Sequence, residues 1–237
     1  MKKLILALGV AASVFASQAK SAECEGICFS PLGIGIAYPV QFPFSDSDVY
    51  GLRLGGLYAV EKEVLGLDVG LMQETKEYFT GLQVSAFSLT GKDAVGLQFA
   101  GLCNLTRGSA VGGVFGLCNV VYGDVTGLAS GVVNFDSSIL GMQIGAVNWN
   151  RFASVGAEIG AFNENVGAFT GLALGGYSFA EEMKGVQIGF INCADNCAGL
   201  QLGVINACEN MTGVQIGALN LIATSPVSAM VVANVMF

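Results

Sequence analysis

The chain has 237 residues, of which 53% are hydrophobic, 12% are charged, 34 are glycine and none is histidine, and its formal net charge is −8. The apolar balance excludes an intrinsically disordered chain, and the acidity leaves no basic patch for nucleic acid. No run reaches the roughly 18 apolar residues of a membrane-spanning helix, because glycine and polar residues interrupt every stretch. The hydrophobicity is spread in short pieces, which indicates strands.

The N-terminus predicts an export signal over residues 1–19. Two lysines are followed by the apolar segment 4–16, and Ser17 and Ala19 then occupy the two positions that a signal peptidase reads. We therefore expect an exported protein, located at the cell surface or outer membrane of a Gram-negative bacterium. Residues 20–50 would form an N-terminal leader or cap.

Export makes disulfides possible, and the sequence has seven cysteines. Cys24 and Cys28 could close a small loop, and Cys193, Cys197 and Cys208 could supply one further bridge. A zinc site needs thiolates or imidazoles at tetrahedral spacing, but the chain has no histidine and no Cys-x-x-Cys pair. We expect no metal and no cofactor.

Residues 51–220 form a tandem array of about 12 units, each 14 to 16 residues long. The last three units show the motif most clearly, for example Gly185-Val-Gln-Ile-Gly-Phe-Ile-Asn192. The leading glycines, numbered position 1 of each unit, are Gly51, Gly66, Gly81, Gly96, Gly112, Gly127, Gly141, Gly156, Gly171, Gly185, Gly199 and Gly213. Residues 221–237 would be a C-terminal cap or last strand.

Residues at equal positions in the units form columns of constant character. Positions 2, 4, 7 and about 13 are apolar, position 5 is almost always glycine, and position 8 is asparagine in most units. Such alternation is typical of a strand whose two faces meet different environments. Position 3 carries the polar side chains, namely Arg53, Asp68, Gln83, Gln98, Gln143, Glu158, Gln187, Gln201 and Gln215.

These columns favour an all-β solenoid with 14- to 15-residue coils, in which each unit is one coil and equal columns stack. Such a short coil would be triangular, with corners at the glycines of positions 1 and 5. The apolar columns 2, 4, 7 and 13 would face inward. Glutamine at position 3 and asparagine at position 8 would form ladders in which each amide bonds its neighbour one coil further on.

The alternative is an outer-membrane β-barrel of about 14 up-and-down strands, with Phe237 as its terminal aromatic residue. Such a barrel reverses every second strand, so neighbouring units should differ, and its linkers should alternate between short turns and long loops. Here every unit resembles the next. We favour the solenoid.

The Gly-Leu-Gln-Ile-Gly-x-Ile-Asn units resemble those of a bacterial family of exported surface-repeat proteins. The match covers residues 51–220 and extends to the leader sequence Tyr38-Pro-Val-Gln-Phe-Pro and the Asn-Val-Met-Phe end. The resemblance implies a surface or envelope location, without a defined activity. Units at Gly112 and Gly127 depart from the motif, with Val114 and Ser130 at positions 3 and 4.

The sequence indicates no enzyme, because a chain without histidine cannot build a Ser-His-Asp or Cys-His arrangement. The charged residues inside the motifs are Arg53, Asp68 and Glu158, which could line a polar lumen or binding strip or form a solvated column; we favour the solvated column. We expect a non-enzymatic structural or interaction scaffold with an unidentified protein or envelope partner and no nucleic-acid partner. An outer-membrane pore or barrel scaffold is the alternative.

Overall fold

The computed structural model describes residues 29–236, where the chain forms strands joined by turns and bends. In this range no helix has the length and apolar character needed to cross a membrane. The chain divides into two compact units, residues 29–108 (unit 1) and 109–236 (unit 2). The predicted export signal, Cys24, Cys28 and Phe237 lie outside the described residues.

Unit 1 contains strands β1 to β7, and its repeat units pair side by side in parallel. Gly51 lies opposite Gly66, Gly66 opposite Gly81, and Gly81 opposite Gly96. β1 joins the same parallel sheet beside β3, and β2 folds back antiparallel on β1. The strands are β1 (Phe29–Ala37), β2 (Val40–Phe42), β3 (Asp48–Glu61), β4 (Glu63–Val69), β5 (Met72–Thr75), β6 (Phe79–Thr90) and β7 (Ala94–Thr106).

Unit 2 repeats the same parallel register. Gly127 lies opposite Gly141, and Gly141 opposite Gly156. The long strand β11 passes through successive coils without interruption, and β12 returns antiparallel along the last of them, which covers its open edge. The strands are β8 (Ala110–Ser130), β9 (Val133–Ile144), β10 (Val147–Asn150), β11 (Ser154–Ile222) and β12 (Ala229–Met236).

The parallel register defines the fold class. Apart from a few register shifts, residues of the array pair with those at the same position of the next repeat, 14 to 16 positions along the chain. This pairing confirms the predicted β-solenoid. The alternative of an up-and-down barrel is wrong, because neighbouring strands in that architecture run antiparallel.

Where the strands are interrupted, a coil has two strands and two bends rather than three corners. In the coil that starts at Gly66, β4 runs through the leading glycine to position 4, and β5 covers positions 7 to 10. The chain bends at Gly70–Leu71 (positions 5 and 6) and again at residues 76–78, shortly before the next leading glycine. The corner at position 5 was predicted correctly, whereas the corner at position 1 was wrong.

The leading glycines are required inside a strand, not at a turn. They have φ between 120° and 149°, a region that side chains with a Cβ rarely adopt. A Cβ at Gly96 would lie 2.0 Å from the carbonyl oxygen of Gly81, and one at Gly156 would lie 1.8 Å from that of Gly141. Only glycine allows the coils to approach this closely.

The prediction of which columns face inward was mostly wrong. The apolar side chains at positions 2, 4 and 7 point outward; for example Leu97 is 42% exposed and Phe162 57%. The inward columns are positions 3, 8 and 10, which are largely polar, together with position 13, which is apolar. The predicted inward direction is confirmed at position 13 alone, where Val64, Phe79 and Met183 are buried.

Candidate functional site

The polar column at position 3 lies inside the coils. All nine predicted residues, Arg53, Asp68, Gln83, Gln98, Gln143, Glu158, Gln187, Gln201 and Gln215, are at most 2% exposed. The preferred interpretation of a solvated column is therefore wrong. These side chains fill the interior and form hydrogen bonds with one another. A dissolved molecule therefore has no access to them from the outer faces.

In unit 1 the position-3 column forms a continuous polar chain anchored by an ion pair. Arg53 binds Asp68 through two contacts, Nε to Oδ1 at 2.7 Å and Nη2 to Oδ2 at 2.5 Å. Gln83 donates to Asp68 at 2.7 Å, and Gln98 donates to Gln83 at 3.0 Å. Nη1 of Arg53 also donates to the carbonyl of Glu74. The buried carboxylate of Asp68 is thus neutralised within the protein.

Unit 2 contains the predicted asparagine ladder at position 8. The side-chain amides of Asn119, Asn134 and Asn148 each donate at 2.8 Å to the asparagine of the next coil, and a second run joins Asn192, Asn206 and Asn220. Each of the five donating amides also donates to the carbonyl at position 4 of the next coil, as Asn119 does to Ser130 at 2.9 Å. The ladder prediction is confirmed.

Glycine at position 5 makes room for this ladder. A Cβ at Gly145 would lie 2.6 Å from Nδ2 of Asn134 and 2.9 Å from Oδ1 of Asn148. The same contacts recur at Gly160 and Gly203. The glycine at position 5 and the asparagine at position 8 therefore act together, because the absent Cβ of the glycine leaves room for the stacked asparagine amides.

The glutamine ladder at position 3 is also present in unit 2. Gln215 donates to Gln201 at 2.8 Å, and Gln201 donates to Gln187 at 2.7 Å. Such stacked amides satisfy each other in an interior that excludes water.

At positions 3 and 10, the interior of unit 2 also holds five polar side chains that we call the carboxylate compartment: Asp136, Gln143, Asn150, Glu158 and Asn165. Gln143 donates to Asp136 at 2.7 Å, and Asn150 donates to Gln143 at 3.0 Å and to Glu158 at 2.7 Å. Asn165 donates to the second oxygen of Glu158 at 2.9 Å. All five side chains are at most 1% exposed.

Apolar layers close the compartment on both sides along the coil axis. One repeat before Gln143 and Asp136 the same two columns hold Ala129 and Val121, and one repeat after Glu158 and Asn165 they hold Ala173 and Ala180; all four are buried. Burial in this setting raises the pKa of Asp136 to about 7, opposed by the bond from Gln143 and assisted by the charge of Glu158. Burial likewise raises the pKa of Glu158 to about 7, opposed by the amides of Asn165 and Asn150.

Sequence reasoning missed three members of this compartment. The sequence analysis gave no role to Asp136, Asn150 or Asn165. The available signal was the column at position 10, where polar residues recur at an even offset from position 8, as in Thr75, Thr90, Asp136, Asn150 and Asn165. An even offset within one strand places both columns on the same face.

The cysteines of the described part form no disulfide. Cys103, Cys118, Cys193, Cys197 and Cys208 are all free thiols. Cys197 and Cys208 interact within the interior of unit 2, and the hydrogen bond between them, together with burial, raises the pKa of Cys197. The predicted pairing of Cys24 with Cys28 lies outside the described residues.

The outer surface of the coils has two apolar faces. The front face comprises the outward side chains of positions 2 and 4 and of the residue directly before each leading glycine, which we call position 14. The side face comprises those of positions 6 and 7. Exposed front-face residues include Leu65, Leu67, Leu82, Val84, Leu97 and Phe99 in unit 1 and Leu140, Met142, Ile144, Val155, Ile159 and Ile188 in unit 2. Exposed side-face residues include Leu57, Leu71, Phe87 and Leu102 in unit 1 and Leu117, Val133, Phe162, Phe190 and Val204 in unit 2.

Most exposed charges occupy a third side of the coil, the linker edge at positions 11 and 12. This edge carries Lys76, Lys92, Arg107, Asp124, Arg151, Glu181, Glu182, Asp195 and Glu209. Each unit by itself is therefore amphipathic, with two adjoining apolar faces and one charged edge. Extended apolar patches of this kind on a protein surface mark sites of contact with lipid or another protein.

Comparison with known proteins adds no relative, since no family model, no curated protein and no solved structure matches this chain.

Proposed function

We propose that this chain is a non-enzymatic, exported scaffold of the cell envelope that adheres to lipid through the front and side faces of its coils. The observation that supports this proposal is the inverted distribution of polarity. Amides and carboxylates fill the interior, while leucine, valine, isoleucine and phenylalanine cover two outer faces.

Lipid fits this surface better than a single protein partner does. The two apolar faces adjoin at the bend of position 5, so one flat partner would cover only one of them. A lipid surface can deform around both while the charged linker edge stays in water. The exposed aliphatic side chains would each contribute on the order of 1 kcal/mol on transfer from water.

An enzymatic role is not part of the proposal, because the carboxylates in the motifs, Asp68 and Glu158, are buried and bonded within the interior. A pore is not proposed either, since the inward positions of both units are occupied by side chains that contact one another across successive coils.

The test is flotation of the purified protein with phosphatidylcholine vesicles in a density gradient. We expect the wild-type chain to float with the vesicles. The double variant L140Q/V155Q removes two front-face side chains that are 56% and 46% exposed. Each loss should weaken the transfer to lipid by on the order of 1 kcal/mol, so the bound fraction should fall by about tenfold or more.

Position 14 offers a matched control. Thr126 and Thr170 occupy it in the coils that flank Leu140 and Val155, and both are exposed. The variant T126Q/T170Q should float as the wild type does. A wild-type chain that stays with the soluble fraction, as a monomer or as an assembly of its own copies, would rule out the lipid proposal.

A further inference from the structure

The two units neutralise their interior carboxylates differently. In unit 1, Asp68 has Arg53 as its partner, the sole buried lysine or arginine within residues 29–236. In unit 2, Asp136 and Glu158 share the carboxylate compartment with amide side chains and without a cation. Two charged carboxylates are unfavourable in an interior of low dielectric constant, and the uptake of a proton by one of them removes half of that charge.

The two carboxyl groups differ in the hydrogen bonds they accept. Both oxygens of Glu158 accept from amides, Oε1 from Asn150 at 2.7 Å and Oε2 from Asn165 at 2.9 Å. Asp136 accepts from Gln143 on Oδ2 at 2.7 Å, but no side chain donates to its Oδ1. Because donated hydrogen bonds favour the charged form of a carboxyl group, Glu158 is the better placed of the two to remain ionised.

Asn150 has an oxygen that lacks a donor. Its side chain is fully buried, and its Oδ1 has no hydrogen-bond partner. Its nitrogen donates to Gln143, to Glu158 and, at 3.2 Å, to Asn165. Exchanging the oxygen and nitrogen of this amide would turn the oxygen towards three acceptors, so the orientation is fixed. The missing partner of Oδ1 is therefore a hydrogen-bond donor.

The register of the strands places Asp136 where that donor belongs. Asp136 of β9 lies opposite Asn150 of β10. Two residues earlier in the same two strands, and so on the same face, Asn134 donates to Asn148 at 2.8 Å. The column at position 10 continues in the same direction, since Asn150 donates to Asn165. This column is an amide ladder in which the first donor is an aspartate, and a carboxyl group donates only when it is protonated.

We propose that Asp136 is a carboxylic acid in the folded protein, and that its Oδ1–H donates to Oδ1 of Asn150 in place of an asparagine amide. Glu158 remains the ionised member of the compartment. The proton is taken up from water as the coils close, so the compartment is a pH-sensitive device that favours the folded state in acid. This inference does not depend on the lipid proposal, and its test requires no lipid.

The surroundings of Asp136 agree with a neutral acid. The groups that face it from the packed strands are Val121 of β8, Gln143 of β9, Asn150 of β10 and Glu158 of β11. Of these groups Glu158 is titratable, and none is cationic. Burial raises the pKa of Asp136 from its usual 3.8 to about 7, and the charge of Glu158 raises it as well. The side chain of Gln143 and the main chain of Val121 lower it, but both can donate to a carboxylic acid as well as to a carboxylate.

The sign of the pH dependence follows from this raised pKa. Between pH 3.8 and about 7 the carboxyl group is ionised in the unfolded chain and protonated in the folded one. The folding equilibrium constant therefore falls by up to about tenfold for each pH unit as the pH rises through this range. A carboxylate held by a cation has the opposite effect, because its contribution is lost as the pH falls.

The test compares the full-length wild type with D136N by urea denaturation between about pH 5 and pH 8. D136N keeps the shape of the side chain and carries an N–H donor at every pH. We expect D136N to be the more stable protein, by a factor that grows about tenfold per pH unit up to about pH 7. Glu61, whose pKa burial raises to about 8, is present in both proteins, so its contribution cancels. The same pH dependence in both proteins, or a D136N that is less stable at pH 8, would overturn the proposal.

E158Q and D195N are the matched variants. E158Q places an amide N–H₂ against the donors Asn150 and Asn165, so we expect it to be less stable than the wild type at pH 8. An E158Q that is stabilised as D136N is would assign the proton to Glu158 and contradict the proposal. D195N removes an exposed carboxylate of the same unit and should follow the wild type at every pH.

Infrared spectroscopy detects the proton independently of stability, because the carbonyl stretch of a carboxylic acid lies apart from the carboxylate bands. The folded wild type at about pH 6 should show this band, E158Q should retain it, and D136N should lack it. A folded wild type without the band would overturn the proposal whatever the denaturation curves show.

Discussion

At the scale of the residue, glycine decides how closely the coils can pack. The leading glycine combines a positive φ with a carbonyl oxygen directly beneath it, as at Gly96 above Gly81. Gly101, in the same repeat, differs on both counts. Its φ is not in the left-handed region, and a Cβ there would have its nearest neighbours at 3.9 Å. Position 96 thus requires glycine, whereas position 101 of the same coil has room for a side chain.

We predict that Gly96→Ala destabilises the protein by at least about 3 kcal/mol, because it combines strained backbone with a clash against main-chain atoms that cannot move aside. Gly101→Ala should be neutral or stabilising by up to about 1 kcal/mol, since it reduces the entropy of the unfolded chain. Urea denaturation of both variants measures the difference. Equal losses in the two variants would contradict this account of the repeat.

At the scale of the element, the ladders connect one coil to the next. An internal asparagine such as Asn206 accepts from Asn192 at 2.9 Å and donates to Asn220 at 2.8 Å and to the carbonyl of Ile216 at 3.0 Å. Its removal leaves buried partners unsatisfied in two neighbouring coils. Asn210 also makes an amide–amide bond, to Asn196 at 3.0 Å, but on the exposed linker edge.

We predict that Asn206→Ala lowers the free energy of unfolding by about 2–4 kcal/mol, because unsatisfied buried amides and a small cavity add together. Asn210→Ala should change it by less than about 0.5 kcal/mol, because water replaces the lost bond. Equilibrium denaturation at fixed pH compares the two. A large effect at Asn210, or a small one at Asn206, would mean that the ladders do not hold the coils together.

At the scale of the whole molecule, both units place amides inside and apolar side chains outside. A typical domain shows the opposite arrangement, and its unfolding exposes apolar surface that raises the heat capacity. Here unfolding exposes many amides, whose hydration lowers the heat capacity, and the front and side faces are already partly exposed in the folded state.

We therefore expect the heat-capacity change of unfolding, measured by calorimetry without lipid, to lie below the usual value of about 12–15 cal/mol/K per residue. Dilution should leave the value unchanged if the protein is monomeric. A normal or larger value would indicate that the apolar faces are covered before unfolding, for example by self-association.

The repeat itself could be read from the sequence. Its 14- to 15-residue period, the glycines, the ladders at positions 3 and 8 and the bend at position 5 were all predicted, because each depends on the same residue recurring in register. The carboxylate compartment was not, since Asp136, Asn150 and Asn165 belong to a column that varies in character from coil to coil.

The sequence by itself determined that this chain is an array of β-units with two chemically different sides, and it favoured the parallel stack of coils that the register then established. Only the tertiary structure decided which side faces inward. An alternating pattern shows that the two faces of a strand differ, but the pattern is unchanged when the faces are exchanged. The amides of positions 3, 8 and 10 satisfy one another only when the coil closes around them, as Gln143 and Asn150 do across its interior. That closure depends on three-dimensional contacts between columns, and these buried the polar side and left the apolar side exposed.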